Sequence, residues 1–165
     1  MRIILEGCDG TGKTTLAKLY ADKYNLDICH CTQHDPSDYD FYKQTIRKNN
    51  IIWDRHTIGE LIYPRVFNRT AQISPEDARI ILSHGKELGA KIFVLTSPID
   101  VIRLRLQERG GECKEVLDKL AWIDNQFKFF ADQFNIPVID TSDFNIQELY
   151  DLVETESEQY NFIHK

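Results

Sequence analysis

The stretch "EGCDGTGKTT" at residues 6–15 holds the pattern GxxxxGKT, with Gly7, Gly12, Lys13 and Thr14 in register. The apolar run Ile3, Ile4, Leu5 precedes it, and the helix-period segment "KTTLAKLYADKY" follows. Glycines let successive backbone N–H groups converge on a phosphate, and a helix beginning near Lys13 aims the positive end of its dipole at the same point. The expected guest is a nucleoside triphosphate, ATP, cradled by Gly7, Gly10, Thr11, Gly12 and Thr15. Lys13 would reach its β and γ phosphates and the Thr14 hydroxyl would ligate Mg²⁺. In an empty loop Lys13 is expected to be exposed. Asp9 sits where phosphate charge would repel it, so it needs another partner: a sugar hydroxyl of a bound nucleotide, or the local backbone of its own turn.

A second group with chemical potential is "DRH" at 54–56, after the apolar "NIIW". At the carboxyl end of a strand, Asp54 can hold the Mg²⁺ shell or accept a proton, and Arg55 can fork onto a phosphate; on a plain surface the two would form an ion pair. Apart from Arg2 and Arg47, every arginine falls between 55 and 109. Arg105 and Arg109 are four apart on one helix face that runs into Gly110 and Gly111, which suits a hinged basic lid closing over a triphosphate; a solvated face paired with Glu108 and Glu112 is the alternative. Arg65 and Arg69 are also four apart, with Phe67 between them and Tyr63 before: rings for a base and forks for a phosphate, or two core-facing aromatics.

These groups need a scaffold. Five short apolar segments read as strands, at 2–6, 26–32, 50–54, 91–96 and 136–140, and helix-period segments lie between them at roughly 13–24, 39–48, 57–69, 75–88, 98–109, 113–134 and 145–159. Such alternation predicts an α/β fold: a parallel sheet covered on both faces, hence a three-layer sandwich, with ligands beyond the carboxyl ends of the strands. Those ends are 7–14, "QHDPS" 33–37, "DRH" 54–56, "TSP" 96–98 and "DTSD" 140–143. Pro64 should break or kink the 57–69 helix. Ser74, Pro75, Glu76 and Asp77 make a strong helix opening.

With 165 residues the chain is expected to be one domain, residues 1–165. Its net charge of −6 argues against a general nucleic-acid surface, and no apolar run approaches the ~18 residues of a membrane span. A strand, not a signal peptide, opens the chain, so a cytoplasmic location is expected, with Cys8, Cys29, Cys31 and Cys113 reduced. "CHCTQH" at 29–34 has no second Cys or His pair at zinc-finger spacing, and strand alternation explains Cys29 and Cys31 as inward-facing.

Together "EGCDGTGKTT", "DRH", the pattern RxxxRG at Arg105, Arg109 and Gly110, and "IPVIDTS" before the final helix resemble the P-loop nucleoside monophosphate kinases, and within them thymidylate kinase. The resemblance implies a five-stranded parallel sheet of order 2-3-1-4-5 with a helical lid. It implies ATP and Mg²⁺ at Lys13 and Thr14, the acceptor's 3′-hydroxyl at Asp9, the acceptor and transferring phosphates at Arg55, and the lid at Arg105 and Arg109. The acceptor would be a nucleoside monophosphate, dTMP, as in a small phage-type deoxynucleotide kinase; a homodimer is left open. The turn "QHDPS" departs from the family's arginine-bearing turn after the second strand, and the 34–50 region is short. Two other readings stand beside this one: a kinase for a nucleoside or a hydroxymethylated base in DNA, and a nucleotide-binding switch, though no guanine-reading NKxD follows either late strand.

Overall fold

The computed structural model describes residues 1–32, 35–142, 147–148, 150–151 and 154–155. Three expectations fall outside that range in part: the turn at 33–34, the last residue of the 140–143 stretch and most of the final helix at 145–159. The elements in chain order are β1 (Arg2–Glu6), α1 (Lys13–Tyr24), β2 (Asp27–His30), α2 (Tyr39–Thr45), β3 (Ile51–Asp54), α3 (Thr57–Val66), α4 (Pro75–Glu87), β4 (Lys91–Thr96), α5 (Ile99–Glu108), α6 (Lys114–Gln133) and β5 (Val138–Asp140).

All five strands run parallel, in the order β2-β3-β1-β4-β5. Strand alternation sends Ile4, Trp53 and Val94 into one core, packed by α3, α4, α5 and α6, and sends Ile3, Leu5, Ile52 and Leu95 into another, under Leu16, Ala17 and Tyr20 of α1. The sheet is thus covered on both faces, as near-continuous apolar strands require. β1 lies in the middle, so its carboxyl end, where the phosphate loop begins, is flanked by those of β3 and β4. Among the described residues no helix is long and apolar enough to cross a membrane.

Local sequence sets the helix ends. Ser74 caps α4 by a reciprocal capping box with Asp77, with Pro75 in the first turn. The N-cap of α1 is Gly12, which supplies no side-chain cap, so the N–H groups that open this helix stay available to an anion. Pro64 does not break its helix: α3 runs unbroken from Thr57 to Val66. The proline lies in the last turn, where its missing N–H costs one hydrogen bond shortly before Asn68, at φ 52, ends the helical path.

Candidate active site

The phosphate loop packs tightly against the sheet at Gly7, whose φ is 132; a Cβ there would collide with the Leu95 carbonyl oxygen. Only glycine fits that approach. Gly10, Thr11, Gly12, Lys13, Thr14 and Thr15 line a cavity of about 530 Å³, joined by Asp54, Arg55, Arg105, Arg109 and Thr141. Lys13 corrects the expectation of exposure: its side chain folds into its own loop, with Nζ donating to the Cys8 carbonyl at 2.7 Å, and is 5% exposed. Burial, and then Arg55, push its pKa down against the pull of Asp9 and Asp54.

Thr14 Oγ1 donates to Asp54 Oδ2 at 2.5 Å, and His30 Nδ1 lies 3.2 Å from the same oxygen. Asp54 is buried and its Oδ1 has no partner among the described residues. A hydroxyl and a carboxylate side by side, one oxygen uncommitted, are the hard donors that Mg²⁺ takes. These residues fit the cation expected from the sequence.

Asp9 is a hub. It accepts from Arg55 Nη2 and from the Tyr63 hydroxyl at 2.7 Å, and Arg109 Nη2 stands 3.7 Å away. Burial would raise its carboxyl, but Arg55, Lys13, Tyr63 and Arg109 together hold it below the ordinary value. Asp9 therefore spends its charge on side chains around it, not on its own turn. Arg55 itself adopts φ 71, the left-handed region.

Beneath this hub lies Glu6, the last residue of β1 and fully buried. Its Oε1 accepts the backbone N–H groups of His56 at 3.1 Å and Ile58 at 2.9 Å, tying the end of β3 to the start of α3. Burial lifts its pKa to about 7, against those two N–H groups, Lys13 and Arg55. His56 is also buried, which lowers its pKa to about 3, and it rests edge-on against Trp53 and Tyr42.

A second cavity, about 470 Å³, opens beside the first and shares Asp9, His30 and Arg55 with it. Its own walls include Tyr63 and Phe67, whose rings stack at 6.2 Å, and Arg69, held by Glu60. Of the sequence-derived acceptor residues, Asp9, Arg55, Tyr63, Phe67 and Arg69 meet here. Arg65 does not: it is exposed on α3 and lines neither cavity. The lid pair also divides. Arg105 donates to Thr141 Oγ1 at 3.0 Å, the Thr141 carbonyl at 2.7 Å and the Gly10 carbonyl at 3.4 Å, whereas Arg109 reaches Glu112 at 2.8 Å and Asp9.

Sequence reasoning missed Glu6, His30, Glu60 and Thr141. Glu6 and Thr141 had a signal available: Glu6 closes the first strand and Thr141 lies in the "DTSD" stretch after the fifth, on the side of the sheet where ligands bind.

No protein-family model matches the chain. Cytidylate kinase 2 of Borreliella afzelii (strain PKo) is 27% identical over 180 residues, covering 98% of each protein. Among solved structures, the YorR protein of Bacillus subtilis, in complex with phosphorylated GDP, superposes with a TM-score of 0.83 at 19% identity over the full length of both chains. Thymidylate kinase of Candida albicans superposes with a TM-score of 0.64 at 15% identity, covering 96% of this chain and 91% of that one. Strand order, phosphate loop and these likenesses agree: the chain has a P-loop nucleoside monophosphate kinase-type fold.

Proposed function

We propose that the protein transfers the γ-phosphoryl group of ATP to a pyrimidine nucleoside monophosphate. The observation that carries this reading is the pair of cavities that meet at Asp9, His30 and Arg55. One holds the phosphate loop and fits the donor; the other has stacked rings and a second guanidinium and fits a nucleotide acceptor. At their junction Arg55 lies between the two phosphates and neutralises charge that develops in transfer. Lys13 would swing from the Cys8 carbonyl to the β and γ phosphates. Mg²⁺ held at Thr14 and Asp54 would supply charge neutralisation across the donor phosphates. Asp9 would meet the acceptor's sugar hydroxyl, and Arg109 the transferring group.

The base is the finer question. The resemblance in sequence favours dTMP, while the name of the Borreliella relative favours CMP. Partners are then small molecules, with no nucleic acid required; that accords with the net charge of −6.

The test is a panel of acceptors incubated with ATP and Mg²⁺, with ADP release measured: CMP, dCMP, UMP, dTMP, AMP and GMP beside cytidine and thymidine. Turnover with a pyrimidine monophosphate well above that with its nucleoside is expected. Equal turnover with thymidine and dTMP, or with cytidine and CMP, would replace this reading by a nucleoside kinase. No turnover with any acceptor, together with tight nucleotide binding, would favour the switch.

A further inference from the structure

Asp124 is a buried carboxylate that the site described above does not use. It belongs to α6, is 2% exposed and lines neither the first cavity nor the second. Burying a charge is costly unless a counter-ion and hydrogen bonds offset it. Lys128, one turn on along α6, supplies the counter-ion, with Nζ 2.6 Å from Oδ2. The other oxygen turns to different partners: Oδ1 accepts from the Thr96 hydroxyl at 2.7 Å and, through a longer and weaker bond, from the Cys8 thiol at 3.9 Å. That thiol is fully buried. Burial, with Asp124 and Asp9 beside it, pushes its pKa up to about 12, so it keeps its proton and remains a donor.

The two donors lie on opposite sides of one seam. Thr96 closes β4, and Cys8 follows Gly7, the glycine that packs against the Leu95 carbonyl. A single carboxylate oxygen thus joins the strand to the phosphate loop beside their closest approach. The other end of Cys8 faces the loop. Its carbonyl accepts Lys13 Nζ at 2.7 Å and Thr11 Oγ1 at 2.9 Å. Cys8 is therefore held at its thiol from α6 and at its carbonyl from the loop, and the carbonyl belongs to the peptide that leads into Asp9.

We infer that Asp124 is a positioning residue for the phosphate loop: through Cys8 and Thr96 it fixes the peptide on which Lys13 rests, and so the point from which the lysine meets a polyphosphate. Its effect on turnover rests on the phosphoryl-transfer reading. Its effect on binding needs only a loop that holds phosphate.

Calorimetric titration of the full chain with inorganic tripolyphosphate and Mg²⁺, beside thermal melts, tests this. Asp124→Asn and Asp124→Ala both lose the charge that pairs with Lys128, so both should melt below the wild type. The amide oxygen of asparagine can still accept from Thr96 and Cys8, whereas alanine has nothing to offer them. Asp124→Asn should therefore bind tripolyphosphate within about threefold of the wild type, and Asp124→Ala roughly tenfold or more weakly. Lys128→Met removes the counter-ion from a half-exposed position and leaves Oδ1 in place; it should lower the melting temperature and leave the affinity unchanged. Cys8→Ala should weaken binding on its own and add little to Asp124→Ala, since both cut one link. Equal affinities for Asp124→Asn and Asp124→Ala overturn the inference, and so does wild-type affinity in Cys8→Ala, which decides the matter even where Asp124→Ala does not fold. In the acceptor assay the same order should appear in kcat/KM for ATP. If no acceptor is phosphorylated, the kinase reading fails and the binding contrast still stands; if ADP is released and the contrast is absent, the inference fails alone.

Discussion

The two cavities that meet at Arg55 are assembled in opposite ways. The first takes most of its wall from one unbroken stretch, residues 9–15, and the second gathers Thr32, Tyr42, Glu60, Arg69 and Val116 from well-separated parts of the chain. A phosphate asks for converging N–H groups, which one glycine-rich turn before a helix supplies. A base asks for shape and a donor pattern, and these come only from side chains that the fold brings together. On the proposed reading, the common part of a nucleotide would be met by local structure and the distinctive part by tertiary structure.

Substitutions can break that division or sharpen it. The largest effect is expected at Lys13, which serves the local half. Lys13→Ala should lower phosphoryl transfer by roughly a hundredfold or more, since the lost charge stabilisation is worth several kcal/mol. Retention of more than about a tenth of wild-type ADP release would contradict its role. Because Lys13 bonds the Cys8 carbonyl in the loop, a thermal melt should accompany the assay.

Glu6 lies beneath both halves and should show itself through pH. With a pKa of about 7, the folded chain holds a proton that the unfolded chain has released above about 4.5. Its contribution therefore falls as pH rises from about 4.5 through 7. His56, held neutral with a pKa of about 3, contributes in the opposite sense, losing stability as pH falls below the ordinary histidine value. Glu6→Gln keeps an acceptor for the two N–H groups and has no proton to lose. Urea unfolding should find it gaining on the wild type between about pH 5 and 8, by on the order of 3 kcal/mol at the upper end. A difference that stays flat over this range would contradict the assignment.

At the junction, Arg55→Ala should cost the acceptor roughly 2 kcal/mol in kcat/KM and leave the affinity for ATP nearly unchanged. Equal losses for donor and acceptor would mean that the two cavities are not separate sites. The smallest effect should separate the lid arginines. Arg109→Ala, removed from Asp9, should lower kcat by roughly tenfold with ATP binding retained, whereas Arg105→Ala, removed from Thr141 and Gly10, should weaken ATP binding as well. Identical profiles for the two variants would restore the single lid face that their spacing suggests.

The same contrast explains what could be read from the chain. The phosphate loop, the alternation of strands and helices and the capping box at Ser74 rest on neighbours in sequence, and they stand where the residues put them. Arg65 and Arg69 show where spacing fails. Four residues apart implies one helix face, but α3 ends at Val66, and beyond Asn68 the backbone N–H of Arg69 donates to the Pro64 carbonyl at 2.8 Å. The chain has turned back, which carries Arg69 to Glu60 and leaves Arg65 outside. Burial of Lys13 was equally illegible, because its partner is a backbone carbonyl. The close of β2 and the base wall depend on which segments meet, and no local pattern encodes that.

Among the described residues, five other than glycine adopt a left-handed backbone: Asn25, Asn50, Asn68, Asn135 and Arg55. Asparagine enters this region at little cost and arginine does not. At four turns, then, the chain carries the residue that its backbone prefers, and at one it carries a residue that its backbone resists. If Arg55 has the phosphate role proposed above, position 55 is where the demands of activity and of folding pull apart. A saturation library scored separately for the two should show it. Arg55→Gly and Arg55→Asn should rank as the most stable of the variants lacking a guanidinium and still lose as much kcat/KM as Arg55→Ala, whereas glycine substituted at the four asparagine sites should pass both screens.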